Sequence, residues 1–213
     1  MKTALTLADF GPLAAKLQET LLAANEKITT LDQALGDGDL GVTCRLGLQA
    51  IRDLPDPPAD GLGDSLLKAG MAFNQAGAST FGALVATGAM RAAKFAKDRG
   101  LDAWDLAAIA DGLDAAAQGI MQRGKAQAGD KTLLDALLPA VAALQAAVAA
   151  GQTLGEGLVA AAQAAAEGAA ATAPWQSKFG RAGWLQERTI GTPDGGATVV
   201  ALVLQAVAEY VAN

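Results

Sequence analysis

Apolar side chains return every three or four residues along almost the whole chain, the repeat of helices that each bury one face. From residue 8 to 35 they fall at Phe10, Leu13, Leu17, Leu21, Leu22, Ile28, Leu31 and Leu35, predicting an amphipathic helix broken near Asn25. Val42, Leu46, Leu48 and Ile51 predict a helix that stops before Pro55-Asp56-Pro57-Pro58. Further helices are expected over residues 62–76, from Ala83 to Lys97 and from Asp102, with Asp105 at its third position, to Arg123. Leu134, Leu137, Leu138, Val141, Leu144 and Val148 mark another, bent by Pro139 and ended by Gly151. Thr153 and Glu156 make a capping box for a helix to about Ala173, and the last helix runs from Thr198 to Val211. Between Pro174 and Ala197 the repeat is lost, and an irregular stretch of that length is expected to be a lid or binding loop. Eight or nine helices with short connections predict an all-α, up-and-down array forming one domain over residues 1–213.

Composition sharpens this picture. The 52% hydrophobic content comes largely from alanine, with only 4% aromatic residues, so the helices should pack closely. A net charge of -6 without any long Lys/Arg stripe argues against nucleic acid or an anionic membrane as partner. The lone Cys44 fits a reducing cytoplasm and reads as a small buried residue rather than a nucleophile. The N-terminal residues lack the apolar run of a signal peptide, and the Ala-rich segments 140–150 and 158–173 are too short or too interrupted to span a bilayer. The chain has no histidine, which excludes an imidazole base, a phosphohistidine relay and His-liganded zinc.

The densest chemistry lies in Leu31-Asp32-Gln33-Ala34-Leu35-Gly36-Asp37-Gly38-Asp39-Leu40-Gly41-Val42-Thr43. Asp37 and Asp39 alternate with glycines that let the backbone turn, and Asp32 sits one helical turn before them. Three carboxylates held together repel, and an oxygen-only set suits a hard cation such as Mg2+ or Ca2+. The EF-hand pattern fails, with Val42 and Leu48 where its Gly and Glu belong, and a P-loop fails because Val42 replaces its Lys. An exposed acidic turn is the plain structural alternative. Gln75-Ala76-Gly77-Ala78-Ser79-Thr80-Phe81-Gly82 is a second candidate phosphate cradle, although a Ser/Thr cap explains it equally well. In an alternating array, loops separated by an even number of helices share an end. The polar stretches near 36–43, 77–82, 124–132 and 180–196 can therefore converge on one mouth.

Arg123-Gly124-Lys125-Ala126, Gly129-Asp130-Lys131-Thr132 with Asp135, Gly180-Arg181-Ala182, and Glu187-Arg188-Thr189-Ile190-Gly191 with Asp194, Gly196, Ala197 and Thr198 follow the acidic loop in order. Together these motifs resemble the nucleotide-binding L subunit, or L domain, of dihydroxyacetone kinases, over nearly the whole chain. The resemblance implies a closed barrel of about eight antiparallel helices with ADP or ATP at one end. It implies two Mg2+ held by Asp32, Asp37 and Asp39, with Leu40, Gly41, Thr43, Ser79 and Thr80 at the phosphates. Gly124 and Leu133 would line the adenine side, and Arg181, Asp194, Gly195 and Gly196 would close over the nucleotide, Arg181 as the catalytic cation. It further implies a homodimer or hetero-oligomer and a separate K subunit whose histidine holds a ketone substrate covalently, so that this histidine-free chain is inactive alone.

Two positions depart from the family pattern: Leu40 replaces a His and Thr43 an Asn, while the hydroxyls of the second cradle shift by one residue to Ser79 and Thr80. Substrate identity stays open between dihydroxyacetone and another short ketose such as erythrulose. The donor is either free ATP or ADP recharged by a phosphocarrier subunit of the phosphotransferase system. A regulatory module that reports nucleotide state to a transcription regulator, and a purely structural helical protein, are the competing classes.

Overall fold

A computed structural model describes residues 2–213. Among them are nine α-helices: α1 (Phe10–Ala23), α2 (Asn25–Leu35), α3 (Leu40–Arg52), α4 (Leu62–Ala76), α5 (Thr80–Arg99), α6 (Leu106–Gly124), α7 (Leu134–Ala149), α8 (Leu154–Ala171) and α9 (Gly195–Ala212). The break expected near Asn25 falls at Ala24, whose N–H still reaches back to Thr20, so α2 leaves α1 without an intervening loop. From α3 to α9 each helix packs on the next, α9 packs on α1, and α1 packs on α3. That closes a ring of eight antiparallel helices, with α2 lying against α3 and α9.

Alanine makes the closure possible. Ala161, Ala165 and Ala169 repeat every four residues on α8, and Ala136, Ala140 and Ala147 share the facing surface of α7 with Leu144. Side chains this short let the backbones approach until Gly168 lies against the carbonyl of Asp135, where a Cβ would collide. α9 is long and apolar enough to cross a membrane, but it packs between α8 and α1 and buries Ala197, Leu204, Ala206 and Val211 against them.

Several boundaries differ from the sequence expectation, always where a polar residue or glycine hides a helix start. α6 begins at Leu106 with Asp105 as its N-cap, accepting the N–H of Ala108 at 2.8 Å; Asp102 lies outside it. Residues 103–104 instead pair antiparallel with Leu5–Thr6. α5 starts at Thr80 rather than Ala83, α3 at Leu40 rather than Val42, and α9 at Gly195 rather than Thr198. The irregular stretch contains a 3-10 segment, Ala182–Thr189, with a reversal at Gln186. On α3 the buried face is Leu40, Cys44 and Leu48, leaving Val42 and Leu46 exposed. The helices proper end as expected at Gly100, in the left-handed conformation, and begin as expected at the Thr153–Glu156 capping box.

Candidate functional site

The alternation of the barrel decides where the polar loops lie. The segments leading into α3, α5, α7 and α9 all open at one rim, so four helix N-termini meet there with their N–H groups and positive dipole ends inward. They enclose a cleft of about 270 Å3 lined by Asp32, Asp37, Asp39 and Leu40, by Ser79 and Thr80, by Leu133, and by Arg181, Asp194, Gly195 and Gly196. Six residues of this wall, Thr80, Leu84, Thr132, Leu133, Phe179 and Gly180, continue into a second chamber of about 350 Å3. Ala83, Ile120, Gly124, Ala126 and Leu134 add apolar wall to that chamber and Arg123 one cation, a mainly apolar slot of a size suited to a flat ring.

The acidic end is built by α2 and the turn after it. Asp32 projects from the last turn of α2, and its Oδ2 accepts the N–H of Leu40 at 3.0 Å, tying the start of α3 to the end of α2. Gly38, at φ +77°, reverses the chain between Asp37 and Asp39, a conformation that other residues adopt only with strain. As a result one oxygen from each of the three carboxylates lies within 4.8 Å of the others. Arg181 reaches across from the long loop to pair with Asp37 and approaches Asp39 at 3.8 Å, a guanidinium standing where positive charge is needed. Burial, and then the charge of Asp32, raise the Asp39 carboxyl above its usual range. Clustered oxygen donors that already draw in a cation fit a hard divalent ion.

The other walls are shaped by short-range bonds. Ser79 caps α5, its Oγ accepting the N–H of Gly82 at 3.0 Å, and Thr80 is exposed to the cleft. Asp194 caps α9 through Ala197, while its own N–H donates to Thr172. Burial pushes the Asp194 carboxyl up to about 7 despite the Ala197 N–H, with Asp135 adding repulsion. Asp135 accepts the N–H groups of Gly129 and Thr132, which fixes the loop before α7. Burial also pushes the Cys44 thiol up to about 12, so it is no nucleophile at neutral pH.

Two of the sequence candidates lie outside the cleft wall. Gly41 is buried where α3 crosses α2, and a Cβ there would collide with the Thr29 hydroxyl. Thr43 is buried against Gly77, so it supports the Ser79 loop from behind. Conversely, Lys131, Thr132, Phe179, Phe81 and Leu84 line the cleft without having been singled out. Lys131 and Thr132 lie in a recognised motif, but nothing in their spacing shows where they point. A larger groove of about 410 Å3 runs between α2, α8 and α9, but apart from Lys27 its wall is apolar or uncharged.

The DAK2 domain pattern matches residues 34–209. The chain is 36% identical over 195 residues to the L-erythrulose kinase of Pectobacterium atrosepticum, covering 89% of this chain but 32% of that protein. It is 32% identical over 185 residues to the ADP-binding subunit DhaL of the PEP-dependent dihydroxyacetone kinase of Escherichia coli, covering 86% of this chain and 87% of that one. It thus spans about a third of the erythrulose kinases it matches and most of the separate subunit. Among solved structures, the dihydroxyacetone kinase of C. freundii in complex with AMP-PNP and Mg2+ superposes with a TM-score of 0.72 at 25% identity, over 94% of this chain and 33% of that one.

Proposed function

Since this chain belongs to the DAK2 domain family, we propose that it is the nucleotide-binding part of a short-ketose kinase, passing phosphoryl from Mg-nucleotide to a ketose held on a separate K-type chain. The observation that carries this reading is the joined cleft: three carboxylates within 4.8 Å of one another at one end and an apolar slot at the other. Asp32, Asp37 and Asp39 would hold two Mg2+, which supply charge neutralisation for the phosphates. The N-termini of α3, α5 and α9 add N–H donors, and Thr80 adds a hydroxyl. Leu84, Gly124, Leu133 and Phe179 would hold the adenine of ADP or ATP.

Phosphoryl transfer asks a protein for positioning and charge more than for covalent chemistry. Arg181 is the group best placed to follow developing charge, since its guanidinium stands exposed at the rim, paired with Asp37 beside the carboxylate cluster. The chain offers no histidine to hold a ketone. On this reading the ketose would arrive on a partner that covers the mouth of the cleft. Erythrulose joins dihydroxyacetone as a candidate because relatives named as kinases of either substrate match. A phosphocarrier that recharges ADP in place is the alternative donor to free ATP, in the cytoplasm in either case.

The test mixes the chain with a K-type chain, a labelled γ-phosphate donor, Mg2+ and dihydroxyacetone or erythrulose. Label should reach the ketose only when both chains are present. Tight Mg-nucleotide binding without transfer would turn the reading toward a regulatory module, and absence of nucleotide binding would end it.

A further inference from the structure

The most deeply buried cation of the chain takes no part in the chemistry described so far. Lys131 is 2% exposed, and its backbone sits at φ +61°, a strained conformation for a side-chain-bearing residue. Its Nζ donates to the carbonyls of Trp175 at 2.8 Å, Thr189 at 2.6 Å and Ala173 at 3.4 Å. An ammonium has three protons, and here each meets a carbonyl. Those carbonyls belong to the two stems of one loop, residues 173–191, whose ends also meet through the Gly191 N–H and the Ala173 carbonyl. The neighbouring Asp130 grips the same loop further out, accepting from Lys178 Nζ at 2.7 Å and from the Lys178 N–H at 3.3 Å through its carbonyl. Between these anchors the loop delivers Phe179, Gly180 and Arg181 into the cleft.

We propose that Lys131 is a positioning residue: it clasps both stems of the 173–191 loop and thereby sets where Phe179 and Arg181 stand over the cleft before any ligand arrives. That the loop closes on a nucleotide rests on the function proposed above; that Lys131 holds the loop does not. A buried ammonium is an expensive anchor, and a methionine of similar length would fill the space without desolvation cost. Its use here follows from what must be held, since only a multiple donor can join carbonyls from two separate stems. The left-handed backbone at Lys131 accompanies a side chain whose Nζ lies between the two stems.

Lys131→Met in the full chain tests this, with limited trypsin digestion in the absence of nucleotide and cleavage rates resolved site by site. Losing charge-assisted bonds to both stems should speed cleavage after Arg181 and Arg188 by about 30-fold. Cleavage after Arg99, at the end of α5, should stay as in the parent. Release of Mg-ADP should accelerate by about tenfold, and Lys131→Arg should recover part of both losses. Unchanged cleavage after Arg181 and Arg188 overturns the proposal, as does an equal rise at Arg99, which marks general destabilisation. If Lys131→Met does not fold, Lys131→Gln, which keeps fewer donors and no charge between the stems, should raise cleavage after Arg181 about threefold; no rise there also overturns it. A loosened loop in a protein that never binds Mg-ADP would instead support the clasp and remove the kinase reading.

Discussion

Asp37→Asn separates a metal site from a merely acidic turn, because metal-free and metal-loaded proteins should respond with opposite signs. Carboxylate oxygens within 4.8 Å of one another repel by about 0.9 kcal/mol per pair in bulk water and about 3.5 kcal/mol at an effective dielectric of 20. Asp37 belongs to two of the three pairs, so the substitution relieves about 2 to 7 kcal/mol before screening by Arg181. Asp37 and Asp39 are both exposed, which favours the low end, and the Arg181 pair lost in exchange contributes about 0–1 kcal/mol. The metal-free variant should therefore be as stable as the parent or more stable by about 1 kcal/mol, read as the urea midpoint at constant m-value. Mg2+-dependent affinity for ADP and ATP should move the other way, falling about 100-fold with the loss of one anionic ligand. Calorimetry with and without Mg2+ measures it. Equal affinity in both proteins, or a metal-free variant that unfolds earlier, would refute the metal assignment.

Asp194→Asn keeps a good N-cap on α9 while removing a carboxyl raised to about 7. Between the ordinary Asp value and pH 7 the folded parent holds a proton that the unfolded chain has lost, so its stability falls as pH rises through that window and levels off above it. The advantage of the variant should grow across the same range, toward about 4 kcal/mol in urea titrations, and a pH-independent difference would contradict the cause given. Tyr210→Phe removes the 2.8 Å hydroxyl bond to Asp9, whose carboxyl would be raised by burial but is held well below its usual range by Lys2, Thr6 and Tyr210. Thermal unfolding should show a loss of about 1.5 kcal/mol near neutral pH. Gly168→Ala forces a methyl group onto the Asp135 carbonyl where α8 meets α7. It should cost about 2 kcal/mol or more in denaturant unfolding and, through the loop that Asp135 shapes, weaken nucleotide binding.

What the amino-acid order settled by itself is what depends on near neighbours. Helical repeats, the Thr153–Glu156 capping box, the Gly100 stop and the crowding of Asp32, Asp37 and Asp39 are separated by fewer than ten residues, so periodicity and spacing express them directly. Alternation in an up-and-down array allowed several polar loops to share a rim, and the closure of the ring decided that they do. The folded structure decided whatever depends on direction across long separations. Arg181 meets Asp37 because α9 returns to α1 and α2, closing the ring. Gly41 and Thr43 turn away from the cleft because one face of α3 must pack on α2 and α4, while Lys131 turns inward because three carbonyls 42 to 58 residues later need a donor. Composition could not reveal these choices, since a helix repeat says which residues share a face and leaves open which neighbour that face will meet.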